Sequence, residues 1–151
     1  MQKSKNAFTM IELVFVIVVL GILAAIAVPR LAGTRDDATI AKGRADIASI
    51  RSALVTEKQS RLIVGSNSYA PLGSGTYTFR GNTYKQIDNG GMFGGILMYP
   101  IASSASDNGW SSSASGTYTY KVSGSAHTLT YTPADGRFLC TGGSYCSKLA
   151  D

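Results

Sequence analysis

FTMIELVFVIVVLGILAAIAVP, residues Phe8 to Pro29, is the stretch that decides how this chain is built. Its 22 residues form a helix of about 33 Å at 1.5 Å per residue, and a bilayer hydrocarbon core is about 30 Å thick. Lys3 and Lys5 precede the stretch, and the next basic residue is Arg30. That asymmetry places the short N-terminal end inside the cell and the bulk of the chain outside. A secretory signal, cut after Ala25-Ile-Ala27 to leave Val28 first, and a passive membrane anchor both fit a basic start followed by an apolar run.

Neither of those readings has a use for Glu12. A carboxylate at the centre of a membrane helix costs roughly 2.5–3.5 kcal/mol on insertion scales, and intramembrane acids usually have a function and a partner. A cut just before Phe8 would create such a partner, an amine one helical turn from Glu12. Between stacked copies, the carboxylate of one subunit could meet the amine of the next. The pair attracts strongly in a low dielectric while either charge alone is costly, so wrong registers are penalised.

The run Lys5-Asn6-Ala7-Phe8-Thr9-Met10-Ile11-Glu12-Leu13 resembles the prepilin cleavage and methylation motif of type IV pilins and type II secretion pseudopilins. Gly21 and Pro29 fall where many members of that family have a glycine and a proline. The resemblance covers about the first 30 residues. It implies cleavage between Ala7 and Phe8 by a prepilin peptidase, N-methylation of Phe8, and Glu12 as the assembly residue. Gly21 and Pro29 would bracket a segment that unwinds or kinks in the filament. Ala7 departs from the usual glycine, but alanine is small and processing is still expected. The implied life history is a single-pass precursor in the inner membrane with its C-terminal domain outside the cytoplasm. It then becomes an extracellular filament or a periplasmic pseudopilus, with copies of itself, the lipid bilayer and the inner-membrane assembly machinery as partners.

Beyond Pro29 the helical pattern continues. Ile40, Ile47, Ile50 and Leu54 recur on one face, Ala41, Ala48 and Val55 repeat beside them, and Glu57, Lys58 and Arg61 continue a polar face up to a stop at Gly65. The expectation is therefore α+β, a type IV pilin-like fold. One long N-terminal helix packs by its C-terminal half on a small antiparallel sheet. The segments are a leader over 1–7, an apolar half-helix over 8–29, an amphipathic half-helix over 30–64, and a globular β domain over 65–151.

In that last segment, Thr76–Arg80 and Thr83–Ile87 flank Gly81-Asn82 as a hairpin. Alternation at Tyr118, Tyr120 and Val122, then at Leu129 and Tyr131, then Arg137–Cys140, predicts three clearer strands, which fit an antiparallel sheet of three or four. Cys140 and Cys146 would form a disulfide once exported, closing the loop Thr141–Tyr145; Tyr145 and Lys148 in this region either contact neighbours and surfaces or belong to a capped chain end.

The whole chain has 151 residues, 44% hydrophobic and 15% charged, with net charge +5, or +3 once Lys3 and Lys5 are removed. That mild excess does not point to nucleic acid. His127, the single histidine, reads as an exposed strand residue with no nucleophile pattern near it. Gly90–Gly95 lacks the Lys-Ser/Thr of a phosphate loop and reads as a flexible loop. Trp110 reads as a core anchor, and Asp107 and Asp135 lie in loops without a spaced acidic cluster for calcium. No enzyme, cofactor or metal is expected. The function read from this sequence is a structural subunit polymerising into a type IV pilus-like filament. The disulfide and Tyr-rich sheet favour a pilus over the alternative, a type II secretion pseudopilin. A rival of another class is a membrane-tethered module binding DNA or glycan.

Overall fold

The computed structural model describes residues 8–104, 106–114 and 116–150; the leader expected over 1–7, including Ala7 of the cleavage bond, lies outside the described residues. Compact units span 1–37 and 38–151. Helix α1, Met10–Ile63, runs through both. It stops where the sequence predicts, because Gly65 adopts a φ of 81° that a side chain would strain. Ser66 N donates to Arg61 O at 2.9 Å and Gly65 N to Leu62 O at 3.0 Å, a Schellman closure of the last carbonyls.

In the second unit, β1 (Thr76–Phe79) and β2 (Asn82–Lys85) make the expected hairpin. A separate antiparallel sheet runs β3 (Gly109–Ala114), β4 (Thr117–Val122), β5 (Ser125–Thr132) and β6 (Arg137–Gly142) in sequence order. β3 carries no alternating apolar signal, since Ser111, Ser112 and Ser113 follow Trp110; pairing with β4 makes it a strand. A short helix α2, Cys146–Ala150, closes the chain.

Ile40, Ile47, Ile50 and Leu54 of α1 are buried, as are Trp110, Tyr118, Tyr120, Leu129, Tyr131 and Phe138 of the sheet. Ala41, Ala48 and Val55, expected beside that stripe, are exposed. Their place is taken by Gly43, where an added Cβ would meet the Tyr120 ring at 2.5 Å and Leu149 Cδ2 at 2.8 Å. The glycine is what lets helix, sheet and α2 come this close.

Three expectations are corrected. Gly90–Gly95 is an ordered turn that delivers Met92 and Phe93 to the core, with the Phe93 ring 4.2 Å from Tyr118 and 5.3 Å from Phe138. Arg61 is 1% exposed, not on the polar face. It pairs with Glu57 at 2.9 Å and lies 4.9 and 5.5 Å from the rings of Tyr77 and Tyr84, which supply the contact that water would otherwise give. His127 is fully buried, its Nδ1 3.2 Å from Tyr120 O and its ring 5.3 Å from that of Tyr145. Strand alternation puts it on the inner face with Leu129 and Tyr131. Tyr145 is thus half-buried as its cover.

The core tyrosines and Trp110 each place a polar tip. Tyr118 donates to Asp88 at 2.8 Å, Tyr120 to Thr39 O at 2.7 Å, Tyr131 to Ala70 O at 2.8 Å, and Trp110 Nε1 to Asp46 Oδ2 at 2.8 Å. Burial raises all three tyrosine pKa values; Asp88 adds to the shift at Tyr118 and Asp46 to that at Tyr120, which reaches about 12. Folded tyrosines therefore keep a proton that unfolded ones release near pH 10. Stability should be constant with respect to these groups below pH 10 and fall steadily from pH 10 to 12, read by urea unfolding at each pH. Gly43→Val should cost about 1–3 kcal/mol by overpacking, and exposed Ser52→Ala no more than about 0.5 kcal/mol, in the same assay.

Candidate functional site

The N-terminal unit is where the sequence places the function, and its geometry starts at the helix cap. Thr9 is the residue before the first helical one, and Glu12 is the third residue of the helix. Glu12 N donates to Thr9 Oγ1 at 3.3 Å, while Thr9 N and Thr9 Oγ1 both donate to Glu12 Oε2 at 2.8 Å. This is a capping box, Thr-x-x-Glu, satisfying two of the amides that every helix start leaves open. The signal for it, Thr9-Met10-Ile11-Glu12, is local and legible in the sequence. The carboxylate therefore has a local use besides any partner in another copy. Both bonds land on Oε2; among the described residues, Oε1 accepts from none.

Around this polar start the helix is apolar on all sides. An 18-residue window of α1 has mean hydropathy 3.0, long and apolar enough to cross a membrane. Its side chains are uncovered, from Val19 at 37% exposure to Phe8 at 87%. Gly21 has nothing within 4 Å of where a Cβ would stand. No packing contact explains the glycine. Pro29 sits inside the helix, and residues 21–29 are helical in the single chain.

The remaining expected residues lie in the second unit. Cys140 and Cys146 form a disulfide, S–S 1.99 Å. It ties β6 to α2, where Leu149 is buried and Arg51 from α1 donates to Ala150 O at 3.0 Å and to Phe138 O at 3.2 Å. Lys148 extends over the Tyr145 ring at 5.4 Å. Asp135 pairs with Arg137 at 3.3 Å, and Asp107 is exposed. Among the described residues no three His, Cys, Asp or Glu gather into a metal-binding group.

Residues 2–28 match the family described as the prokaryotic N-terminal methylation motif. The type II secretion system core protein G of Klebsiella michiganensis is 43% identical over 53 residues, 35% of this chain and 37% of that protein. The protein of the same name from Pseudomonas aeruginosa is 40% identical over 53 residues, again 35% of this chain and 37% of the relative. The type IV narrow pilus major component of Thermus thermophilus is 52% identical over 48 residues, 32% of this chain and 41% of that protein. The chain thus spans little more than a third of the length of the relatives it matches first. No solved structure matches the chain significantly.

Thr9→Val removes the cap hydroxyl and should weaken the first helical turn by about 1 kcal/mol. Amide hydrogen exchange of the full chain in detergent micelles should then speed up about fivefold at residues 9–12, with Thr9→Ser close to the parent.

Proposed function

We propose that this chain, a member of the type IV pilin and pseudopilin family through its N-terminal third, is a structural subunit that polymerises into an extracellular type IV pilus-like filament. Prepilin peptidase cuts between Ala7 and Phe8 and Phe8 is N-methylated, which leaves a cationic amine beside the cap. The precursor waits in the inner membrane on residues 8–29, with its C-terminal domain outside the cytoplasm. The assembly machinery then moves it into a bundle of identical helices.

The observation that carries this reading is the carboxylate of Glu12 at the head of an uncovered apolar helix. Its Oε2 closes the helix start of its own chain. Its Oε1 is the atom we assign to the amine of Phe8 in a neighbouring copy. A mispositioned neighbour leaves both charges unpaired in an apolar medium, so the pair sets register. The segment from Gly21 to Pro29 is the part we expect to unwind in the filament. It holds a glycine that weakens a helix by about 1 kcal/mol and a proline that deletes one hydrogen bond.

The second reading is a pseudopilin of a type II secretion system, favoured by the name that several of the relatives carry. The disulfide and the tyrosine-rich sheet, which lie outside the matched third, are what lead us to place the pilus first. A membrane-tethered binding module would leave Glu12 with its capping role alone.

Mass spectrometry of the mature chain should find Phe8 first with one added methyl group; a chain beginning at Val28 would overturn the proposal. Electron microscopy of sheared surface material should show filaments containing the chain. Glu12→Leu should leave the protein in the membrane with filaments absent or nearly so. Filaments at the parent's level from that variant would sink the role given to Glu12.

A further inference from the structure

Within residues 38–151, a cavity of about 560 Å³ opens between α1 and the loop over 97–104. That volume is in the range of small-ligand sites. Trp110, Tyr99, Lys42, Asp46, Ser49 and Asn108 are among its lining residues. Trp110 itself is not a platform: it is 2% exposed and held by Asp46. The open aromatic is Tyr99, 81% exposed, next to Met98 at 88%.

The polar groups have spare capacity. Asp46 receives Trp110 Nε1 on Oδ2, which leaves Oδ1 without a partner among the described residues. Asn108 receives Ser123 N on its Oδ1 at 2.8 Å, and its amide nitrogen is left to donate. The Lys42 ammonium is exposed and pairs with none of the described residues. One cation and one anion cancel, so the lining selects neither a phosphate nor a metal ion. Donors and acceptors are mixed, and an aromatic ring stands at the mouth. A ligand that matches must be neutral, carry hydroxyls that both donate and accept, and offer an apolar C–H face to a ring.

We propose that this cavity binds a short saccharide, with Tyr99 stacking on a sugar face and Lys42, Asp46 and Asn108 holding its hydroxyls. The site belongs to the second unit alone and does not depend on the filament reading. It would give the exposed part of the protein a surface for glycan.

Trp110 is the single tryptophan of the chain and lines the cavity, so its emission reports occupancy directly. Detergent-solubilised full-length protein is titrated with cellobiose, chitobiose, maltose and lactose. The expected result is a saturable change in Trp110 emission with at least one of them. Tyr99→Ala and Lys42→Ala, both at exposed positions, should each weaken it tenfold or more, and Lys85→Ala should not. A flat titration with all four sugars overturns the proposal. So does unchanged binding by both cavity variants. If no sugar binds and Tyr99→Ala instead abolishes filaments in the microscope, the loop is a contact between copies and the saccharide site is rejected.

Discussion

Sixteen large apolar side chains between Phe8 and Leu31 stand uncovered, and everything else about this molecule has to accommodate them. Fully burying such a side chain is worth about 1.5–3 kcal/mol, so together they amount to tens of kcal/mol that water cannot supply. Placing an acid even at the centre of a membrane helix costs roughly 2.5–3.5 kcal/mol, and Glu12 stands near the end of the apolar stretch. The difference in scale separates two questions. The apolar side chains determine that the segment stays out of water, and one carboxylate cannot reverse that. Glu12 can only determine how the segment is seated once it is out of water. Transfer from one apolar medium to another, lipid to helix bundle, is nearly neutral in the hydrophobic term, which leaves small polar contacts free to decide geometry.

The second unit solves the opposite problem, burying large amphipathic side chains in a small domain. Its core is aromatic, and each ring with a polar tip has a fixed acceptor: Asp88, Thr39 O, Ala70 O and Asp46. Such bonds add modestly to stability but leave few alternative ways to pack, because a slipped ring would strand its hydroxyl in the core. The contacts span from residue 39 of α1 to residue 131 of β5. They tie distant parts of the chain to one another as specifically as the disulfide ties β6 to α2.

How much of this was legible follows from the kind of signal each element carries. The apolar run, the stop at Gly65, the hairpin around Gly81 and the alternation of β4 and β5 are local patterns, and the structure shows them where the sequence put them. β3 was missed because three serines follow Trp110, and its strand character comes from β4 alone. Arg61 and His127 were misjudged for a related reason. Residue type argued for the surface, while the tyrosines that cover them lie elsewhere in the chain, Tyr77 and Tyr84 for one and Tyr145 for the other. Periodicity cannot announce a cover that arrives from a hairpin or a disulfide-closed tail. Glu12 is a different case. Its capping partner, Thr9, is three residues away, so this role is carried by a local pattern and was legible in the sequence.

The capping role of Glu12 and the assembly role proposed for it are compatible because a carboxylate has two oxygens. In water, a helix start can leave its first amides to solvent, and a capping box is a refinement. Inside a bilayer or a helix bundle there is no water to take them, and each unsatisfied amide is costly. The Thr9–Glu12 box would therefore be worth more in either of those media than on an ordinary protein surface. By fixing the side chain along its own helix start, the box also removes much of the rotameric freedom that an incoming amine would otherwise have to freeze. A carboxylate already held by Thr9 presents its second oxygen in a defined direction. In the proposed filament, the local cap would make the pairing with a neighbour's amine geometrically selective.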